Sequence, residues 1–380
     1  MNLLKFFHIS DLHIGKRLNE IPLIDDQQYI LGRILGLVDS EKPDAVLICG
    51  DVYDKPVPPA EAVRVFDDFL TALSDRSVAA IVISGNHDSP ERIAFGARLL
   101  SRSGVYVSPV YDGGLAYVDL PDDFGEVRFW LMPFLKPVNV RRFYPDAPIT
   151  DYSSAVREVI AQANVDFSKR NVLLCHQNVT NTTSTHADEI SIGGLDNVDF
   201  DIFDGFDYVA LGHIHTVASV GRAEVRFCGA PLEYSFNECG RELTVTCVEL
   251  KEKGDARIKL LPLEPLHRLR RLKGSFEQVT TPDFEPGVPR DDYVHITLTD
   301  EEDVVDAVGR LRTVYPNLMQ LEYDNRRTRA SQSVADGCSD EDKSPLELFG
   351  EFYFKQNNAE MSGQQLDLVR QLLEEGGAEL

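Results

Sequence analysis

The stretch Ile81–Asp88 reads IVISGNHD: an apolar run stops at Gly85, and Asn86, His87 and Asp88 follow at once. This pattern predicts a buried strand ending in a tight turn that hands three polar groups to the carboxyl edge of a sheet. Ligands of open α/β sheets sit at that edge. A lone Gly-Asn-His turn is ordinary surface chemistry, so the constraint comes from repetition. Asp11-Leu12-His13, Gly50-Asp51, Cys175-His176 and Gly212-His213-Ile214-His215 each follow a mostly apolar run in the same way.

The first hundred residues alternate between strand and helix patterns. Residues 3–10, 45–49 and 78–84 read as strands, and 25–40, 60–74 and 91–101 read as helices. That alternation predicts an α/β layered core. From about residue 105 short strands follow in succession, with one helix at 151–163, which predicts a second sheet. The expected fold is α/β: a two-sheet sandwich flanked by helices, spanning 1–262. Pro262 and Pro265 mark its end. A small α+β domain is expected over 263–327, with strands at 293–298 and 319–323 and a helix over 301–315. The polar stretch 328–345 reads as a linker. Two amphipathic helices are expected in 346–380, the second announced by capping-box spacing between Ser362 and Gln365.

A hydrophobic fraction of 43% suits an ordinary globular protein. No apolar run approaches the ~20 residues of a spanning helix, so no membrane is expected. The start runs directly into motif residues and does not read as a signal peptide. Six cysteines without a CxxC pair read as reduced thiols in a cytoplasmic protein. The net charge of −24 opposes broad attraction to nucleic acid. Any DNA contact must use metal ions, a partner subunit or a local basic surface, for which Lys16, Arg17, Lys55, Arg92 and the run His267–Arg271 are candidates.

The five segment ends combine imidazole nitrogens with carboxylate and amide oxygens. That donor set suits first-row divalent ions such as Mn, Fe or Zn, and suits Mg or Ca poorly. Asp11, His13, Asp51, Asn86, His176, His213 and His215 are too many ligands for one ion. Shared through a bridging carboxylate they would serve two ions ~3.5–4 Å apart.

D-x-H, G-D-x-x-D, G-N-H-D, a lone His and G-H-x-H stand here in the order of the calcineurin-like metallophosphoesterase family, which the chain resembles. The resemblance implies one metal held by Asp11, His13 and His215, a second by Asn86, His176 and His213, and Asp51 between them. It implies that His87 is no ligand but serves the departing oxygen. An imidazolium beside two dications needs a carboxylate to lean on. Asp54 is placed for that, with Asp88 second and better suited to stabilising the turn.

HISDLHIGK, LICGDVYDKPVPP, VISGNHDSPERI, FDYVALGHIH, FCGAPLEYSF and the terminal SPLELFGEFYF further resemble the SbcD family, nuclease subunits of bacterial SbcCD DNA-repair complexes. That resemblance implies hydrolysis of DNA phosphodiesters with two Mn(2+) ions. Double-stranded ends would be cut exonucleolytically, and single strands or hairpins endonucleolytically. It also implies an SbcC-type ATPase partner, a homodimer, a capping role for 263–327 and docking of the tail through Leu346, Phe349, Phe352 and Tyr353. The other reading is a stand-alone metallophosphatase or phosphodiesterase acting on a small molecule.

Overall fold

In the first strand, β1 (Leu4–Ile9), Leu4 and Phe6 face one way, Phe7 and Ile9 the other, and all four are buried. The same holds in β2 (Ala45–Cys49) and β3 (Ala79–Ile83), which is why these runs are apolar throughout. The computed structural model describes residues 3–180, 196–281, 284, 289–326, 328, 346, 349–350, 353–354 and 360–375. Its described residues fall into two compact units, one bounded by Met1–Leu272, Glu285–Ile296 and Val308–Leu321, the other by Lys273–Phe284, Thr297–Ala307 and Glu322–Leu380.

The first unit holds two six-stranded sheets. With β4 (Val105–Val107), the strands β1 to β4 pair in parallel. The second sheet contains β5 (Ala116–Asp122), β6 (Gly125–Met132), β7 (Arg170–His176), β8 (Tyr208–Gly212), β9 (Ala218–Val220) and β10 (Arg222–Phe227), in the order β9-β10-β8-β7-β6-β5. The chain then returns to the first sheet with β11 (Thr244–Leu250) and β12 (Ala256–Pro262), giving β12-β11-β1-β2-β3-β4.

One core lies between the sheets, where Phe6 meets Phe129 and Tyr208 edge-on, each at 5.5 Å between ring centroids. A second core packs α1 (Ile24–Glu41) and α2 (Ala60–Asp75) on the outer face of the first sheet. After the short α3 (Pro90–Ile93), α4 (Ala97–Leu100) and α5 (Pro137–Arg141), α6 (Tyr152–Gln162) covers the outer face of the second sheet. This is the two-sheet sandwich flanked by helices that the sequence pattern predicts.

At the end away from the candidate ligands, Arg170 donates to both oxygens of Asp122 at 2.9 and 2.6 Å and to the carbonyls of Gly125 and Lys251. Asp122 also accepts the Leu4 amide. This network pins the first strands of both sheets, and each buried charge in it depends on the other.

Two expected helices differ. The one over 91–101 breaks into α3 and α4 because Gly96 takes φ +75°, a left-handed residue that a right-handed helix cannot carry. The one over 301–315 shrinks to α8 (Ala307–Arg312), and Asp306 just before it has φ 50°. Strands β13 (Leu269–Gly274), β14 (Tyr293–Leu298) and β15 (Leu318–Tyr323) form a three-stranded sheet in that order. In the second unit, α7 (Phe276–Thr280) opens with a capping box between Ser275 and Gln278. The last helix, α9 (Gly363–Glu375), starts where Ser362 N donates to Gln365 Oε1 at 2.9 Å. Apart from Thr328, the expected linker lies outside the described residues, as do Phe352, His186 and Cys338.

Candidate metal centre

Five parallel strands from the two sheets deliver their carboxyl ends to one place. Asp11 and His13 follow β1, Asp51 follows β2, Asn86 and His87 follow β3, His176 ends β7, and His213 and His215 follow β8. The turns are laced together by backbone bonds: Asp11 N to Gly50 O at 3.1 Å, His13 N to Asp51 O at 2.9 Å and Ile14 N to Val52 O at 2.9 Å. The lacing holds Asp11, His13, Asp51 and His213 at φ 54°, 42°, 48° and 96°. Such conformations cost roughly 1–3 kcal/mol each in a non-glycine residue and persist only where the surroundings over-determine them.

Close approach also needs glycine. A Cβ on Gly85 would lie 2.1 Å from Asp51 Oδ1, and one on Gly212 would lie 2.0 Å from the Cys49 carbonyl oxygen. These glycines let β3 and β8 approach the turn after β2.

All seven predicted ligands meet. His13 Nε2 faces His215 Nε2 at 3.1 Å, with Asp11 close enough to complete a three-ligand group. Asn86 Oδ1 lies 3.0 Å from His176 Nε2 and 3.1 Å from His213 Nδ1. Asp51 Oδ2 stands between, 3.4 Å from His176 Nε2 and 3.8 Å from His13 Nε2. The Asp11 carboxylate accepts the His213 amide and the Ser10 hydroxyl.

Two of the outer nitrogens are tied down, those of His176 and His215. His176 Nδ1 donates to the Cys49 carbonyl at 2.7 Å, and since a carbonyl only accepts, Nε2 is left for a ligand. His215 Nδ1 bonds Glu238 Oε1 at 2.9 Å. This orienting of ligating imidazoles by outer oxygens is the usual support of a metal site. The donor set and its outer bonds fit divalent metal ions.

Burial pushes His13 down to about 2, against the pull of Asp51 and helped by His215, His87 and Lys16, so its imidazole is neutral. Burial and then the His176 charge lower His213 as well. Burial opposes charge on His176 too, but Asp51 outweighs it and raises the imidazole to about 9. The same pairing holds Asp51 well below the usual carboxylate range despite its burial. For His215, burial opposes charge, and the Glu238 bond together with the Asp11, Glu238 and Asp51 charges outweighs it and raises the imidazole.

His87 Nε2 points inward, 4.0 Å from Asp51 Oδ2, and no ligand nitrogen bonds it. Its contact with Asp54 corrects the expectation from sequence. His87 Nδ1 bonds the Asp54 backbone oxygen at 3.0 Å, while the Asp54 carboxylate takes Lys16 Nζ at 2.9 Å. The Asp54 backbone is held beside the site by the bridge between Ile14 and Tyr53, with the Asp54 amide donating to the Ile14 carbonyl at 3.3 Å. Asp88 is a turn residue: its buried carboxylate accepts the amides of Gly85, Val52 and Tyr53 at 2.9, 3.1 and 2.9 Å. His8 is fully buried in β1, bonded to the Tyr208 hydroxyl at 3.0 Å.

Sequence reasoning missed Glu238, which sits in SFNECG without any ligand-like spacing. It also missed Gln27, a polar residue on the buried face of α1 beside Ile30, Leu31 and Ile34. Such a misfit on an apolar helix face is a usable signal. Gln27 Nε2 donates to the His13 carbonyl at 2.7 Å, and Tyr234 OH donates to the Leu12 carbonyl.

Residues 4–217 match the calcineurin-like phosphoesterase family, and residues 265–357 match SbcD_C, described as the type 5 capsule protein repressor C-terminal domain. The SbcD nuclease subunit of SbcCD from Staphylococcus saprophyticus is 30% identical over 84% of this chain and 84% of its own length. The chain belongs to the SbcD family of calcineurin-like phosphoesterases. A second family member, the SbcD nuclease subunit of Staphylococcus epidermidis, is 28% identical over 97% of this chain and 98% of its own. A solved structure, that of a dimetal phosphatase from Danio rerio, aligns with 70% of this chain and 98% of its own at 14% identity and a TM-score of 0.43, and at that distance adds nothing. Among the described residues no helix of this family member is long and apolar enough to cross a membrane.

Proposed function

We propose that this protein is the DNA nuclease subunit of an ATP-dependent complex with an SbcC-type ATPase, acting in DNA repair, replication and recombination. It cuts DNA phosphodiester bonds, as an exonuclease on double-stranded ends and as an endonuclease on single strands and hairpins. One observation carries the reading: seven candidate ligands converge from five strand ends beside His87, whose amide holds Asp51 Oδ1 at 2.9 Å and whose imidazole bonds the Asp54 carbonyl, in a chain matched along nearly its whole length by a nuclease subunit.

Asp11, His13 and His215 would hold one ion, and Asn86, His176 and His213 the other, with Asp51 shared. Mn(2+) suits the mixed nitrogen and oxygen set. Two such ions would supply an acidified water and neutralise charge on the phosphoryl oxygens. His87, kept in place through Nδ1 by the Asp54 carbonyl, has Nε2 free to hand a proton to the departing sugar oxygen.

The region 263–327 is assigned a capping role over DNA, and 346–380 the docking of the ATPase. A second copy would cover Val63, Phe95 and Leu99, exposed at 45%, 84% and 71% around an apolar groove of about 380 Å³. The five described cysteines are free thiols, consistent with a cytoplasmic setting.

The test is manganese-dependent degradation of linear duplex and hairpin DNA by the purified protein, with Asp51→Ala inactive. Intact DNA alongside rapid hydrolysis of p-nitrophenyl phosphate would instead indicate a stand-alone phosphatase.

A further inference from the structure

Two neighbouring side chains in the first turn of α1 grip different parts of the chain. Gln27, 1% exposed, donates to the carbonyls of His13 at 2.7 Å and Leu12 at 3.2 Å and accepts the Gly15 amide at 2.9 Å. It thus spans the loop that carries Asp11 and His13, both in the left-handed region. Asp26, 3% exposed, accepts the His267 amide at 3.2 Å, His267 Nδ1 at 3.0 Å and the Tyr293 hydroxyl at 2.7 Å. The His267 and Tyr293 rings pack on each other at 5.0 Å.

The start of α1 is also held by the Leu23 amide, which donates to the Lys16 carbonyl at 3.0 Å, and by the buried Leu23 and Ile24 side chains. Its cap residue, Leu23, makes no side-chain capping bond. The Asp26 charge suits a helix amino end, but what holds that charge in one direction is the His267 and Tyr293 clamp. One residue on, with a rise of ~1.5 Å, Gln27 passes that direction to the ligand loop.

We propose that Asp26, clamped by His267 and Tyr293, is a positioning residue for the ion held by Asp11, His13 and His215, acting through Gln27. Residues that follow the sandwich in sequence thereby set the affinity of one metal position without touching it. This rests on the ligand assignment above and is independent of DNA as the substrate.

The experiment is Mn(2+) binding by equilibrium dialysis on the full chain, with thermal unfolding of each variant in parallel. Gln27→Ala should weaken one of the two ions roughly tenfold, as loss of outer support does at metal sites. Tyr293→Phe, which keeps the ring and removes only the hydroxyl bond, and His267→Ala should weaken that same ion about threefold while the other is unchanged. Gln27→Ala combined with Tyr293→Phe should bind no worse than Gln27→Ala alone, because the second change acts through the first. Unchanged affinity in Tyr293→Phe and His267→Ala overturns the coupling, whatever Gln27→Ala does. So does equal weakening of both ions with a lowered unfolding midpoint, which is general loosening. A protein that never cleaves DNA would remove the functional reading and leave these affinities to be judged on their own.

Discussion

Glu238 Oε1 lies 2.9 Å from His215 Nδ1, and its other oxygen takes the Tyr234 amide at 2.7 Å, so the carboxylate is fixed before it fixes the imidazole. Glu238→Ala should weaken the ion assigned to Asp11, His13 and His215 by roughly 10–100-fold, as removal of such a partner does elsewhere. Glu238→Gln, which keeps an accepting oxygen, should lose less. Calorimetric titration with manganese reads both variants, and equal affinities for Glu238→Ala and the parent would deny Glu238 this role.

Protons stand where cations are expected to go. In protein stripped of metal by chelation, His176, raised to about 9 by Asp51, carries a proton at neutral pH. His215, raised by Glu238, gains one more readily than a free imidazole. Metal needs both neutral, so binding must expel protons, and affinity must rise with pH until His176 loses its proton near 9. The slope should be roughly tenfold per pH unit for each proton released. Titration in buffers of different ionisation enthalpy counts the protons. A count of zero at about pH 7.5 would contradict the pairing of His176 with Asp51.

Gly85→Ala should act as a site mutation although it adds one methyl group. Its Cβ would fall 2.1 Å from Asp51 Oδ1 and 2.3 Å from the Asp51 amide. The turn must move, and overpacking of this kind costs about 1–3 kcal/mol of stability. The greater loss should be in metal content, measured by elemental analysis of the purified variant. A fully loaded Gly85→Ala protein would mean that Asp51 tolerates displacement.

His87→Ala should separate binding from chemistry. Because the His87 imidazole bonds a backbone oxygen, and the bond from residue 87 to Asp51 runs from the backbone amide that alanine keeps, metal stoichiometry should stay at the parent value. Turnover on DNA should fall by roughly 10²–10⁴-fold, the usual worth of a positioned acid or base. Loss of metal in step with activity would make His87 a ligand.

The convergence of the candidate ligands was legible in the sequence because each is local: a strand, then a glycine or short turn, then the donor. The sandwich was legible for a similar reason, since runs such as Ala45–Cys49 are apolar on both faces. What supports the ligands was not legible. The Cys49 carbonyl leaves no trace in side-chain identity, and Glu238 and Asp26 acquire meaning only through partners that folding brings to them. His267 stands in the sequence only as the start of a basic run, and it sits on Asp26 across 241 positions of chain. The left-handed Asp306, which stops the helix expected over 301–315, follows no glycine or proline cue.

The central claim is that two cations share Asp51. Anomalous diffraction from crystals grown with manganese tests it most directly. Two peaks ~3.5–4 Å apart are predicted, with one oxygen or both of Asp51 reaching each. One peak, or two of which Asp51 touches only one, would contradict it.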